Sequence, residues 1–168
     1  MATNSIAQRL YVPPAWSTKP KHDSWYLEVL KDGVSIQKIS LAKKDHYLLG
    51  RQIDVVDIPL EHPSASRQHA VLQFGEEGEL YLTDLGAAHG TKVNKNRIDP
   101  KVYVLVTPGS VLQFGESTRL YIVEGPHEYA KPEDEESEAH KRFREQSESR
   151  QERKAKEKEK ASRVDIHN

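Results

Sequence analysis

Three short clusters along the chain hold residue types that can do chemistry. Gly50-Arg51 is the first, Ser64-Ala65-Ser66-Arg67-Gln68-His69 the second, and Asp84-Leu85-Gly86-Ala87-Ala88-His89-Gly90-Thr91 the third. Together they contain Ser66, His69 and Asp84, the residue types of a hydrolytic triad. No Gly-x-Ser-x-Gly nucleophile elbow is present, and His69 opens the apolar run HAVLQF, which suits a side chain held beneath a loop. His62, His69 and His89 are isolated from one another, and no His-Glu-x-x-His spacing occurs. There is no cysteine, so thiol catalysis, disulfides and cysteine-ligated zinc are excluded. No metal, cofactor or enzymatic activity is expected. Taken alone, none of the three clusters is a strong signal: Gly50 reads as a turn glycine and Arg51 as a surface arginine.

The elements that must position these clusters are strands. Residues 24–125 show nine short runs rich in Val, Ile, Leu, Tyr and Phe: 25–30, 35–41, 46–51, 55–60, 69–74, 80–84, 101–106, 110–114 and 119–124. Turn residues separate them, among them Asp32-Gly33, Gly86, Gly90, Asn94-Lys95-Asn96, Pro108-Gly109 and Gly115. No stretch of a dozen residues has a helical period. This spacing predicts an all-β sandwich or barrel with its functional residues on end loops.

Composition divides the chain of 168 residues further. Residues 24–125 are about 42% apolar, whereas residues 131–163 hold 21 charged residues in 33. Three segments follow: a Pro-containing arm over 1–23, a folded domain over 24–125, and a charged low-complexity tail over 126–168, disordered or partly helical. Tyr11, Val12 and Trp16 offer the arm apolar anchors; a flexible leader is the alternative. In the tail, residues 133–138 carry five acids in six positions, and residues 141–163 carry ten basic residues against five acidic ones. No apolar run is long enough for a membrane span, and the opening MATNSIAQRLY lacks an apolar signal core. A nuclear or cytoplasmic location is expected. Net charge over 1–130 is −1, from 14 basic and 15 acidic residues, so whole-domain electrostatic binding to nucleic acid is not expected.

The order and spacing of GR (50–51), EHPSASRQHAVLQF (61–74), DLGAAHGT (84–91) and VNKNRI (93–98) resemble those of a forkhead-associated (FHA) domain. The resemblance spans residues 24–125. It implies an FHA-type β-sandwich of about eleven strands that binds phosphothreonine peptides on its loops, without catalysis. It assigns phosphopeptide contact to Arg51, Ser66, Arg67, Ala88 and His89. It assigns support of the loops to Gly50, His69, Asp84, Gly90 and Thr91. The partner implied is a phosphothreonine-containing protein, bound by a monomer, with the nucleus favoured and RNA processing as a setting.

The chain departs from the family pattern in the third cluster. Ala87 and Ala88 stand where Ser and Thr are usual, and Lys92 stands where Phe is common. At position 88 one hydroxyl donor is lost. A hydrogen bond to a charged group contributes roughly 1.5–3 kcal/mol, or about 10- to 100-fold in affinity. Weakened phosphate binding is therefore expected, with a phosphate-independent scaffold as the alternative. A further alternative is an RNA-associated adaptor acting through the basic run of the tail.

Overall fold

The computed structural model describes residues 10–131 and 150–157. Contacts divide the chain into two units, Met1–Lys131 and Pro132–Asn168.

The described residues of the first unit form eleven strands in two sheets. Strands β1 (Tyr26–Lys31), β2 (Val34–Ser40), β7 (Thr91–Val93), β8 (Asn96–Arg97), β10 (Val111–Phe114) and β11 (Leu120–Glu124) form one sheet, ordered β2-β1-β11-β10-β7-β8. Strands β3 (His46–Gly50), β4 (Ile58–Pro59), β5 (Ala70–Phe74), β6 (Leu80–Asp84) and β9 (Val104–Val106) form the other, ordered β4-β3-β5-β6-β9. The β3–β4 pair is parallel and the other strand pairs are antiparallel.

Alternation along the strands builds the core. Leu27 and Val29 of β1, Leu72 and Phe74 of β5, Leu80 and Leu82 of β6, and Leu112 and Phe114 of β10 are buried in one cluster between the sheets. Non-directional burial of this kind is the main favourable term in folding. It makes a firm base for loops.

All nine expected strands are present, with changes at their ends. The run 55–60 shrinks to two residues, because the N–H groups of Val55 and Val56 donate to the Gln52 carbonyl and form a turn. The run 101–106 starts at Val104, after Lys101 takes a left-handed φ of 61°. The two extra strands, β7 and β8, lie beside a tight turn at Asn94 and Lys95 (φ 50° and 71°). Positive φ at both central residues matches the twist of a two-residue hairpin.

The arm from Leu10 onward lies on the five-stranded sheet. Gln73 of β5 points away from the core yet is fully buried. The Tyr11 hydroxyl donates to its Oε1 (2.8 Å), and its Nε2 donates to Ser17 Oγ (2.6 Å). Trp16 meets Tyr81 and Tyr103 edge-on. Beyond β11, Tyr129 packs against Trp25. In the second unit, residues 150–157 form a helix whose residues are all exposed. The acidic run 133–138, the basic stretch 141–144 and residues 158–163 lie outside the described residues.

Candidate functional site

Four loops meet at one end of the sandwich: 51–57, 60–69, 85–90 and 115–119. Their backbones are tied directly. Arg51 and Gln52 donate N–H bonds to the carbonyls of Ser66 (3.0 Å) and Arg67 (3.2 Å). This approach explains Gly50, since a Cβ there would lie 2.1 Å from the Arg67 carbonyl oxygen. The Gly115 N–H donates to the Gly90 carbonyl (2.9 Å), joining the third loop to the fourth.

Beneath the loops sits a saturated brace. His69 is fully buried. Its Nδ1 accepts from the Ser66 backbone N–H (3.1 Å), so Nε2 carries the proton and donates to the Gly90 carbonyl (2.9 Å). Burial pushes the His69 pKa down, which keeps the ring neutral for this arrangement. Asp84, also buried, bridges the start and end of the third loop. One carboxylate oxygen accepts from Thr91 Oγ1 (2.5 Å), the other from the N–H groups of Gly86 (3.0 Å) and Ala87 (3.1 Å). Both ring nitrogens of His69 are therefore used on backbone, and Asp84 orients no imidazole. Ser66, His69 and Asp84 form no nucleophilic triad.

Above the brace is a rim whose groups are under-used. The Ala88 N–H donates to Ser66 Oγ at 3.3 Å, a long bond that leaves the serine proton free to point outward. The Arg51 side chain is exposed and bonds through Nε to the Ala65 carbonyl (3.0 Å). That bond fixes its direction, and among the described residues its terminal nitrogens have no carboxylate partner. Arg67 is exposed and likewise unpaired among the described residues. His89 is exposed and faces Glu116 of the fourth loop at 3.5 Å. Chemically, the rim offers one hydroxyl and one backbone N–H in contact, with a guanidinium tied to the carbonyl of the residue before that serine. Those are donors for a phosphoryl group, which brings three acceptor oxygens and roughly −1.5 to −2 charges.

The structure adds residues to which the sequence reading gave no role. Ser64 Oγ accepts from the Glu116 N–H (2.8 Å) and donates to His62 Nδ1 (2.7 Å), linking the second loop to the fourth. Arg97 lies over Gly90: a Cβ on that glycine would stand 2.6 Å from Arg97 Nε. Both occur in the motifs that prompted the resemblance, Ser64 inside EHPSAS and Arg97 inside VNKNRI. Their partners are 52 and 7 residues away, so spacing alone held no sign of the contact.

The FHA domain family matches residues 47–115. Human kanadaptin is 43% identical over 135 residues, covering 74% of this chain and 18% of that protein. The human nuclear inhibitor of protein phosphatase 1 is 34% identical over 121 residues, covering 71% of this chain and 34% of that protein. The chain thus spans only about a fifth to a third of the length of these relatives. Among solved structures, the FHA domain of TbPar42 superposes with a TM-score of 0.59 at 36% identity, covering 74% of this chain and 68% of that one. The eleven-stranded sandwich is an FHA fold, and the chain belongs to the FHA-domain family.

Proposed function

We propose that this protein is a non-catalytic adaptor that binds threonine-phosphorylated proteins through the rim at 51, 66, 67, 88 and 89. One observation carries the reading. The Ser66 hydroxyl meets the Ala88 N–H, and Arg51, bonded through Nε to the adjoining Ala65 carbonyl, keeps its terminal nitrogens without a carboxylate partner among the described residues, above the buried His69 and Asp84. Alanine at 88 keeps the backbone donor, so phosphate retains three kinds of contact there. His89 faces the peptide side of the rim and bonds peptide backbone. A nuclear location accords with the name of the phosphatase inhibitor among its relatives. The test is a degenerate phosphothreonine peptide array with an unphosphorylated copy. Phosphate-dependent capture at defined flanking residues is expected. Equal capture of both copies overturns the reading.

A second reading is supported by the missing hydroxyl at Ala88: a phosphate-independent scaffold on the same shell. It requires that no phosphopeptide is preferred over its unphosphorylated copy.

A further inference from the structure

The β7–β8 hairpin carries a charge arrangement that folding does not require. Lys92 of β7 and Arg97 of β8 are direct cross-strand partners. Like charges directly opposite one another destabilise a strand pair. Both are exposed, and among the described residues neither has a carboxylate partner. Their neighbour across β10 is Gln113, which is neutral. Lys95 at the hairpin tip and Lys101 beyond it add two more exposed cations without ion pairs among the described residues. Asp99, the nearest acid in sequence, is exposed and forms no ion pair with them. Thr91 and Val93 turn inward, Thr91 fully buried. The hairpin therefore keeps an ordinary inner side and presents an uncompensated pair of cations outward.

This pair adjoins the rim. The Arg97 guanidinium lies against Gly90, two residues from the Ala88 N–H. Glu116 of the fourth loop lies beside His89, and among the described residues it forms no ion pair with Arg97. The hairpin cations therefore begin beside the end of the third loop that carries the Ala88 N–H.

We propose that Lys92 and Arg97 form a second anion subsite for another phosphorylated residue of the same peptide. The subsite rests on the phosphothreonine reading of the rim. The charges match: two cations occupy paired positions on one strand pair, and one phosphate brings roughly −1.5 to −2. Arg97 supplies a planar fork for two oxygens and Lys92 a point charge. An extended peptide advances about 3.3 Å per residue, so each added residue of spacing moves a second phosphate along the hairpin by that length.

The experiment uses the full chain and a peptide with one phosphothreonine and neutral flanks. Companion peptides carry a second phosphothreonine two, three or four residues away on either side, or glutamate there instead. Affinities are measured for the wild type, Lys92→Gln, Arg97→Gln and the double variant, with melting curves as the folding check. At one spacing, about tenfold tighter binding of the doubly phosphorylated peptide is expected, with a smaller gain for glutamate. The double variant should abolish that gain and bind the singly phosphorylated peptide as the wild type does. Equal binding of the singly and doubly phosphorylated peptides at every spacing overturns the subsite while leaving the rim intact. So does a gain that survives in the double variant. A gain with glutamate as large as with phosphate overturns the assignment to phosphate. If a single-stranded RNA oligonucleotide binds through Lys92 and Arg97 while the second phosphate brings nothing, the hairpin is an RNA contact and the proposal fails. Failure of the singly phosphorylated peptide to bind at all counts against the rim instead.

Discussion

The same loops contain two regions with opposite habits. In the brace, His69, Asp84 and Thr91 are buried and spend their hydrogen-bonding groups on the protein itself. In the rim, Arg51, Arg67 and His89 are exposed, and the rim groups hold few or long bonds. A satisfied buried polar network rigidifies its surroundings. Donors left unspent at the surface are available to a partner at little cost to the fold. The difference teaches that loop chemistry here is divided by depth: inner residues set shape, and outer residues, on the function proposed above, set affinity. Substitutions in the brace should act on stability first, and substitutions in the rim on binding alone.

The largest expected effect is at Gly50. A Cβ 2.1 Å from the Arg67 carbonyl oxygen forces the first two loops apart. Gly50→Ala should destabilise by about 3 kcal/mol, the upper part of the usual range for overpacking, as a lowered denaturation midpoint. A change below half a kcal/mol would show that the loops separate freely.

Asp84→Ala comes next. It removes the acceptor for Thr91 Oγ1 and for the Gly86 and Ala87 N–H groups. Leaving a buried donor unpaired costs about 1–3 kcal/mol. A loss of about 2 kcal/mol is expected in thermal or chemical melts. Weakened binding with unchanged stability would instead place Asp84 in the rim.

Ala88→Thr sharpens the comparison from the other side. It restores a hydroxyl at a position whose N–H already meets Ser66 Oγ. Phosphopeptide affinity should rise about tenfold, by the contribution of a hydrogen bond to a charged group, with stability unchanged. If binding appears only in this variant, the phosphate-independent scaffold is the better description of the natural protein.

The smallest effect is pH-dependent. Burial holds the His69 pKa below its ordinary value of 6.5, so the folded state resists a proton that the unfolded state accepts. Stability is therefore retained above about pH 6.5 and declines as pH falls from there through the lowered folded-state value. Melting temperature followed from pH 7.5 to 5 should fall, and His69→Gln should flatten the part of that slope due to histidine. An unchanged slope would mean that other groups control it.

Much of the fold was legible because burial leaves a pattern. Leu80–Asp84 alternates and is bounded by turn residues, and it is a strand over the same residues. Strand β8 has two residues, too few to show any period, so Asn94-Lys95-Asn96 read only as punctuation. The docking of the arm rests on Gln73, a polar residue inside an apolar strand, and on Tyr103 far along the chain. Neither points to Tyr11 or Trp16 in sequence. At the site, the motif order located the loops. Arg97 over Gly90 and Ser64 under Glu116 depend on tertiary proximity, and no spacing rule encodes that.

The most direct measurement follows the Ala88 backbone amide by NMR while a phosphothreonine peptide is titrated into the wild type and into Arg51→Ala. In the wild type this amide should shift strongly and saturably with the phosphorylated peptide and stay still with its unphosphorylated copy. In Arg51→Ala, affinity should fall by about 100-fold, near the upper end for a charged hydrogen bond, while the melting temperature is retained. An Ala88 signal that ignores the phosphate, or an Arg51→Ala protein that binds as tightly as the wild type, would contradict phosphate recognition at this rim.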